Sequence, residues 1–205
     1  MKKKNIALIA AGVLGVGTCT AVQIDRQYNI LYATNTAYCT IRNALFGTDG
    51  ISKVDIALYY DSSMTRNEMR KARNAFENVK DEYQEEFGID LQIASENRAW
   101  DGRKEFDNIA DLSMIFVPEI PDDDTTDTET TKGLAFRRDS FMLIEYSSHM
   151  ECLESALQHE LGHIFYAEHS DNPLCVMFHH NICFRQDIWC DEEKEIITRY
   201  KHRIW

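Results

Sequence analysis

Basic residues are scarce in this chain. Its 205 residues carry 22 Lys and Arg against 34 Asp and Glu, a formal net charge of −12 at pH 7 and a sequence pI near 5.0. Nucleic-acid binding needs clustered cations to neutralise phosphates, so no nucleic-acid partner is expected. The acidity reads first as solubility, and only second as a field steering basic substrates. Also missing is any Cys-x-x-Cys pair among the six cysteines, a spacing common in closed structural zinc sites. The acidic stretch from Pro121 to Lys132 lacks EF-hand spacing, so a solvated loop is preferred there to a Ca²⁺ site. Length is no constraint, since 205 residues suffice for one domain with its own core plus a short appendage.

The N-terminus is read as separate from the fold. Met1-Lys2-Lys3-Lys4 is a basic start, and Ile6 to Val22 is an uncharged stretch rich in Ala, Gly, Ile, Leu and Val. This is the pattern of a secretory signal, with Cys19 and Ala21 as small residues for a cut after Ala21. Two alternatives stay open: an uncleaved segment barely long enough to span a bilayer, and a faint lipobox at Val16-Gly17-Thr18-Cys19. In each version the lysines stay inside. A protein secreted, or anchored on the outer side of the cytoplasmic membrane, is expected, with only the N-terminal segment engaging the membrane and the rest a monomer. Residues 1–22 are thus signal peptide or membrane anchor, 23–50 a connector compatible with a helix, and 51–205 the functional domain.

Six cysteines agree with an oxidising compartment. Disulfides among Cys175, Cys183 and Cys190 are preferred to a second, structural zinc held by these thiolates with His179 or His180. Cys39, in the connector, is assigned structural or disulfide duty.

Along the domain, Val54 to Tyr60 reads as a first strand. Thr65 and Glu68 form a capping box, after which Met69, Ala72, Phe76, Val79 and Tyr83 recur at helical steps until Gly88 closes the helix. Further strands are expected at Ile89–Ile93, Leu112–Val117 and Phe141–Tyr146, with a short edge strand at Gly133–Phe136. A second amphipathic helix begins near Met150, and Asp191–Arg203 forms a terminal helix packing Trp189 and Trp205.

The chemistry concentrates at His159-Glu160-Leu161-Gly162-His163, followed by His169. Two imidazoles four residues apart share one helix face and can grip one Zn²⁺ together. A continued helix would carry residue 169 away from that face, so the chain must leave the helix to bring His169 back. Three neutral nitrogens with one open position are the coordination of a catalytic zinc. Glu160 is placed to act on a water molecule, not on the metal.

The stretch HELGHIFYAEHSDNPLCVM resembles the metzincin zinc endopeptidases, whose pattern is HExxHxxGxxH with a downstream Met-turn. That likeness puts His159, His163 and His169 on the ligand positions, Glu160 on the general base and Met177 on the methionine that forms an apolar floor. His169-Ser170 is similar to matrixins and Cys175-Val176-Met177 to archaemetzincins, although Ser170 replaces the latter's cysteine. Astacin-like relatives use a tyrosine two residues past the methionine; His179 stands there. The resemblance implies an α/β (α+β) metzincin-like zinc protease domain over 51–205: a twisted mixed sheet, an active-site helix and a small C-terminal subdomain. It implies an exported endopeptidase in which one zinc activates water, Glu160 is the base and a peptide or protein substrate pairs with the edge strand. One departure stands out. The glycine at which metzincin chains turn is Tyr166, so either Tyr166 accepts a left-handed conformation or the turn falls on a neighbour. A crowded loop would favour a rival reading: a catalytically inactive zinc-containing domain that binds peptides or a partner. A chance HExxH with no metal is the third.

Overall fold

The computed structural model describes residues 23–46, 50–100, 110–120, 132–137, 140–178 and 188–203. The signal or anchor segment, residues 121–131 of the acidic loop, His179, His180, Cys183 and Trp205 lie outside the described residues. Among the described residues no helix is long and apolar enough to cross a membrane.

The framework is one five-stranded sheet: β1 (Ser52–Asp61), β2 (Ile89–Trp100), β3 (Leu112–Val117), β4 (Gly133–Phe136) and β5 (Phe141–Glu145), in the order β2-β1-β3-β5-β4. β1 pairs in parallel with β2 and β3, and β3 in parallel with β5; β4 alone runs antiparallel, on β5. Alternation along the strands sorts side chains to two faces. Val54, Ile56, Leu58 and Tyr60, with Leu112, Met114, Phe116, Met142 and Ile144, join the main core beneath the helices. Ala57, Tyr59, Ile115, Val117 and Phe141 form a smaller cluster on the other face.

Helix α2 (Arg66–Phe87) starts on the expected box: Glu68 N–H donates to Thr65 Oγ1 at 3.3 Å, and Thr65 N–H to the Glu68 carboxylate at 2.7 Å. It ends at Gly88, whose φ of 66° is the left-handed cap. Helix α3 (Met150–Ile164) lies beside α2, buried continuously from Cys152 to Ile164. The Tyr83 hydroxyl donates to the Gln158 carbonyl at 2.9 Å across that seam. Helix α4 (Asp191–Tyr200) caps the base, with Trp189 edge-on to Phe87 and Tyr83 at 5.1 and 5.7 Å between ring centroids.

One segment differs from the sequence reading, and the helical connector agrees with it. β2 runs past Ile93 to Trp100, because main-chain pairing with β1 continues through Ser95, Glu96 and Asn97 without needing apolar side chains. The connector is a helix, α1 (Gln23–Phe46), and its second half packs on α4. Thr36 Oγ1 meets the Tyr200 hydroxyl at 3.0 Å, and Asn43 Nδ2 donates to the Arg199 carbonyl at 3.1 Å. Cys39 is fully buried in that contact, and burial lifts its thiol to about 11, which keeps it neutral. Its structural assignment fits this setting.

Phe76 sits at the centre of the core, fully buried. Truncation by Phe76→Ala is expected to cost about 3–5 kcal/mol, read as a lowered urea midpoint at unchanged slope.

Candidate metal centre

Helix α3 presents His159 and His163 one turn apart and then stops. Phe165 caps it; Tyr166 takes a φ of 70°, and Ala167 N–H donates to the Gly162 carbonyl at 3.0 Å while Tyr166 N–H donates to the His163 carbonyl at 2.9 Å. These two bonds make a Schellman ending with a tyrosine where glycine is usual. Of the two expectations, Tyr166 itself takes the left-handed turn, at a cost of roughly 1 kcal/mol or more. The turn returns the chain, and His169 comes back over the helix face.

The three imidazoles converge. His163 Nε2 lies 3.1 Å from His159 Nε2 and 3.1 Å from His169 Nε2. Tetrahedral ligands about 2.0–2.1 Å from zinc would stand roughly 3.3 Å apart, so both of these separations suit that ion. The other ring nitrogens are engaged by the main chain: His159 Nδ1 with the Val176 carbonyl at 2.9 Å, and His163 Nδ1 with the Ala167 carbonyl at 2.8 Å. A carbonyl accepts only, so Nδ1 carries the proton and Nε2 keeps its lone pair for a metal. Burial, and then the neighbouring His159, pushes His163 down to about 3, so it is neutral and ready to ligate at any ordinary pH.

Met177 is fully buried, and its chain segment is held by Ser170 N–H donating to the Met177 carbonyl at 2.8 Å. A Cβ on Gly162 would overlap the Met177 sulfur, so glycine is needed between the two helix ligands to seat the methionine. Glu160 is buried beneath β4. A Cβ on Gly133 would lie 2.6 Å from Glu160 Oε1 and 2.8 Å from its Cδ, and the Ala135 main-chain N–H donates to the carboxylate. Burial lifts this carboxyl to about 8, against the pull of the Ala135 hydrogen bond and of Arg137. A dication alongside would favour the carboxylate again.

Arg137 escaped the sequence reading. Its Nη2 donates to the Ala167 carbonyl at 2.9 Å and its Nη1 pairs with Glu168 at 2.7 Å, so it braces the loop between the second and third ligands. The sole sequence signal is a cation directly after the edge strand of an acidic chain. Crowding by Tyr166, the feature that would favour an inactive domain, is not found: its ring packs with Tyr200 and its hydroxyl accepts from Asn35 Nδ2 at 3.0 Å.

Cys175 and Cys190 are free thiols, so the preferred disulfide is not formed between them. Their sulfurs and a carboxylate oxygen of Glu193 lie within 4.8 Å of one another. The less favoured second-metal alternative thus keeps two of its cysteines together, with Glu193 rather than a described histidine as third donor.

No protein-family model matches the chain, and no curated protein matches it in sequence. Solved structures match in fold. Archaemetzincin from Methanopyrus kandleri superposes with a TM-score of 0.58 at 14% identity, over 77% of this chain and 98% of that one. Metalloproteinase-II from Bacteroides fragilis gives 0.51 at 10%, over 75% of this chain and 54% of that one. A zinc-dependent peptidase from Methanocorpusculum labreanum gives 0.47 at 13%, over 69% and 99%. At such identities the first two establish fold alone: the chain shares the α/β architecture of those two structures.

Glu160 makes a pH test available in the metal-free protein. Between pH 4.5 and about 8 its folded carboxyl holds a proton that the unfolded chain has released, so stability falls as pH rises through that window. His163 acts in the opposite sense, but only below its unfolded value of 6.5. From pH 6.5 to 8 the Glu160 slope therefore stands alone, about 2 kcal/mol in all. Urea unfolding of chelator-treated protein is expected to show this decline, and Glu160→Gln to remove it.

Proposed function

We infer that the chain is a zinc-dependent endopeptidase that hydrolyses peptide bonds with Glu160 as general base. The observation that carries it is the convergence of three Nε2 atoms, His163 standing 3.1 Å from each of the other two, beside the buried Glu160, with His159, Glu160 and His163 on one helix and His169 returned by the turn after it.

His159, His163 and His169 would hold the ion, their outer nitrogens fixing tautomer and aim where carbonyls accept from them. When bound, zinc supplies Lewis-acid chemistry, lowering the pKa of water and polarising a carbonyl. Glu160 takes a proton from the attacking water and hands it to the leaving amine. Ala135 N–H keeps the carboxylate oriented, and the burial of Glu160 shields that transfer from bulk solvent. The scheme needs no covalent acyl-enzyme, so no serine or cysteine is given the role of nucleophile.

Substrate binding follows from the sheet. β4 is the last strand, and among the described residues no strand pairs with its outer edge. An extended peptide adding there would be held by main-chain hydrogen bonds, which favours protein or peptide substrates with little regard to side chain. On the strength of its basic start and apolar run, we propose that the protein is secreted or anchored on the outer side of the cytoplasmic membrane.

Glu160→Gln is expected to lower casein cleavage about 100- to 10,000-fold while bound zinc stays near one per chain. Wild-type cleavage by that variant would refute the assigned base. If the wild-type protein binds zinc but cleaves nothing in a mixed peptide library, the inactive binding domain is the correct reading. Gly133→Ala tests the seat of the base separately: the new methyl displaces the Glu160 carboxylate, and activity should fall at least tenfold with zinc content unchanged.

A further inference from the structure

We propose that Tyr166 and helix α1 form a tether that positions the third ligand, His169, so that the N-terminal helix is a working part of the metal loop. This rests on the three histidines being a metal site.

Glycine at position 166 would let the chain turn without strain but would offer nothing to hold. Tyr166 accepts the left-handed conformation and supplies a side chain, which is fastened on several sides. Asn35 of α1, fully buried, donates through Nδ2 to its hydroxyl at 3.0 Å. The Tyr200 ring packs on it at 4.8 Å between centroids, and the Arg203 guanidinium lies over it at 5.1 Å. The two arginines also grip the main chain on either side of it. Arg203 donates to the carbonyls of Ile164 and Arg137, and Arg137 donates to the Ala167 carbonyl at 2.9 Å.

Residues 164 to 167 are thus pinned from outside the loop, two residues before His169. His159 needs no such help, because it sits on a buried helix and its Nδ1 is held by the Val176 carbonyl, outside this turn; His163 is fixed by the same helix, although its Nδ1 meets the Ala167 carbonyl. His169 is exposed and lies beyond the helix end, so its aim is set in part by where the turn leaves the chain, along with the Ser170–Met177 main-chain bond that follows it. Asn35 and Tyr166 are accordingly positioning residues.

The test is zinc affinity of the full chain, measured by competition with a chromogenic chelator, for wild type, Asn35→Ala, Tyr166→Phe and His169→Ala, and for each of the first two variants combined with His169→Ala. Both tether variants keep the ligands and the apolar packing. Each is expected to weaken zinc binding about tenfold, as loss of outer-shell support generally does, and to have no further effect once His169 is absent. Wild-type affinity in both variants would overturn the tether while leaving the metal site intact. The same loss with and without His169 would also overturn it, since the contact would then be general stability. A wild-type chain that binds no zinc would overturn both the tether and the function proposed above.

Discussion

The reversal of the chain after α3 is the constraint on which the site depends. An α-helix can supply two ligands one turn apart but never a third at ten residues' remove from the first, so a catalytic coordination sphere requires the helix to stop and fold back. Here the stop is a Schellman ending whose left-handed residue is Tyr166. Its two main-chain bonds satisfy carbonyls at the end of α3, and Arg203 and Arg137 satisfy others around the turn. These cations also lie where the helix dipole is negative, so the same contacts serve geometry and electrostatics.

Burial is the second constraint. His159, Glu160 and His163 are all nearly inaccessible, and each would be costly there without partners. The sequence around them supplies those partners mainly from the backbone: Val176 and Ala167 carbonyls for the imidazoles, the Ala135 N–H for the carboxylate. Edge strand β4 therefore has two duties. It closes the site over Glu160, which only a glycine at 133 permits, and among the described residues no strand pairs with its outer edge, where the proposed substrate would add. A buried carboxyl lifted to about 8 is poised to accept a proton once a neighbouring cation restores its charge.

Much of this was legible in the residues. Period and punctuation located α2, because Thr65, Glu68 and Gly88 are caps with local chemistry, and β3 and β4 fell where the apolar runs placed them. The convergence of the three histidines was readable because metal chemistry demands few residue types at fixed spacing. Tyr166 was visible as a departure, though not what it would be used for. What escaped has a common physical character. Beyond Ile93, β2 is held by main-chain pairing, which leaves no trace in side-chain polarity. Arg137 and Arg203 act on carbonyls distant in sequence, and although α1 was readable as a connector compatible with a helix, its docking was not, because among its described side chains it buries Asn35 and Cys39.

That last feature bears on how the molecule is put together. A helix that buries a polar residue is seated by specific hydrogen bonds more than by apolar area, and such contacts fix orientation strongly while adding only modest stability. Asn35 to Tyr166, Thr36 to Tyr200 and Asn43 to the Arg199 carbonyl set α1 in one register against α4 and the metal loop. Those contacts tie the segment that follows the N-terminal apolar run to the turn that aims the third imidazole. The strained tyrosine is then intelligible: the conformational freedom of glycine has been exchanged for a point of attachment, and the rigidity of the third ligand comes from a helix about 130 residues away in the chain.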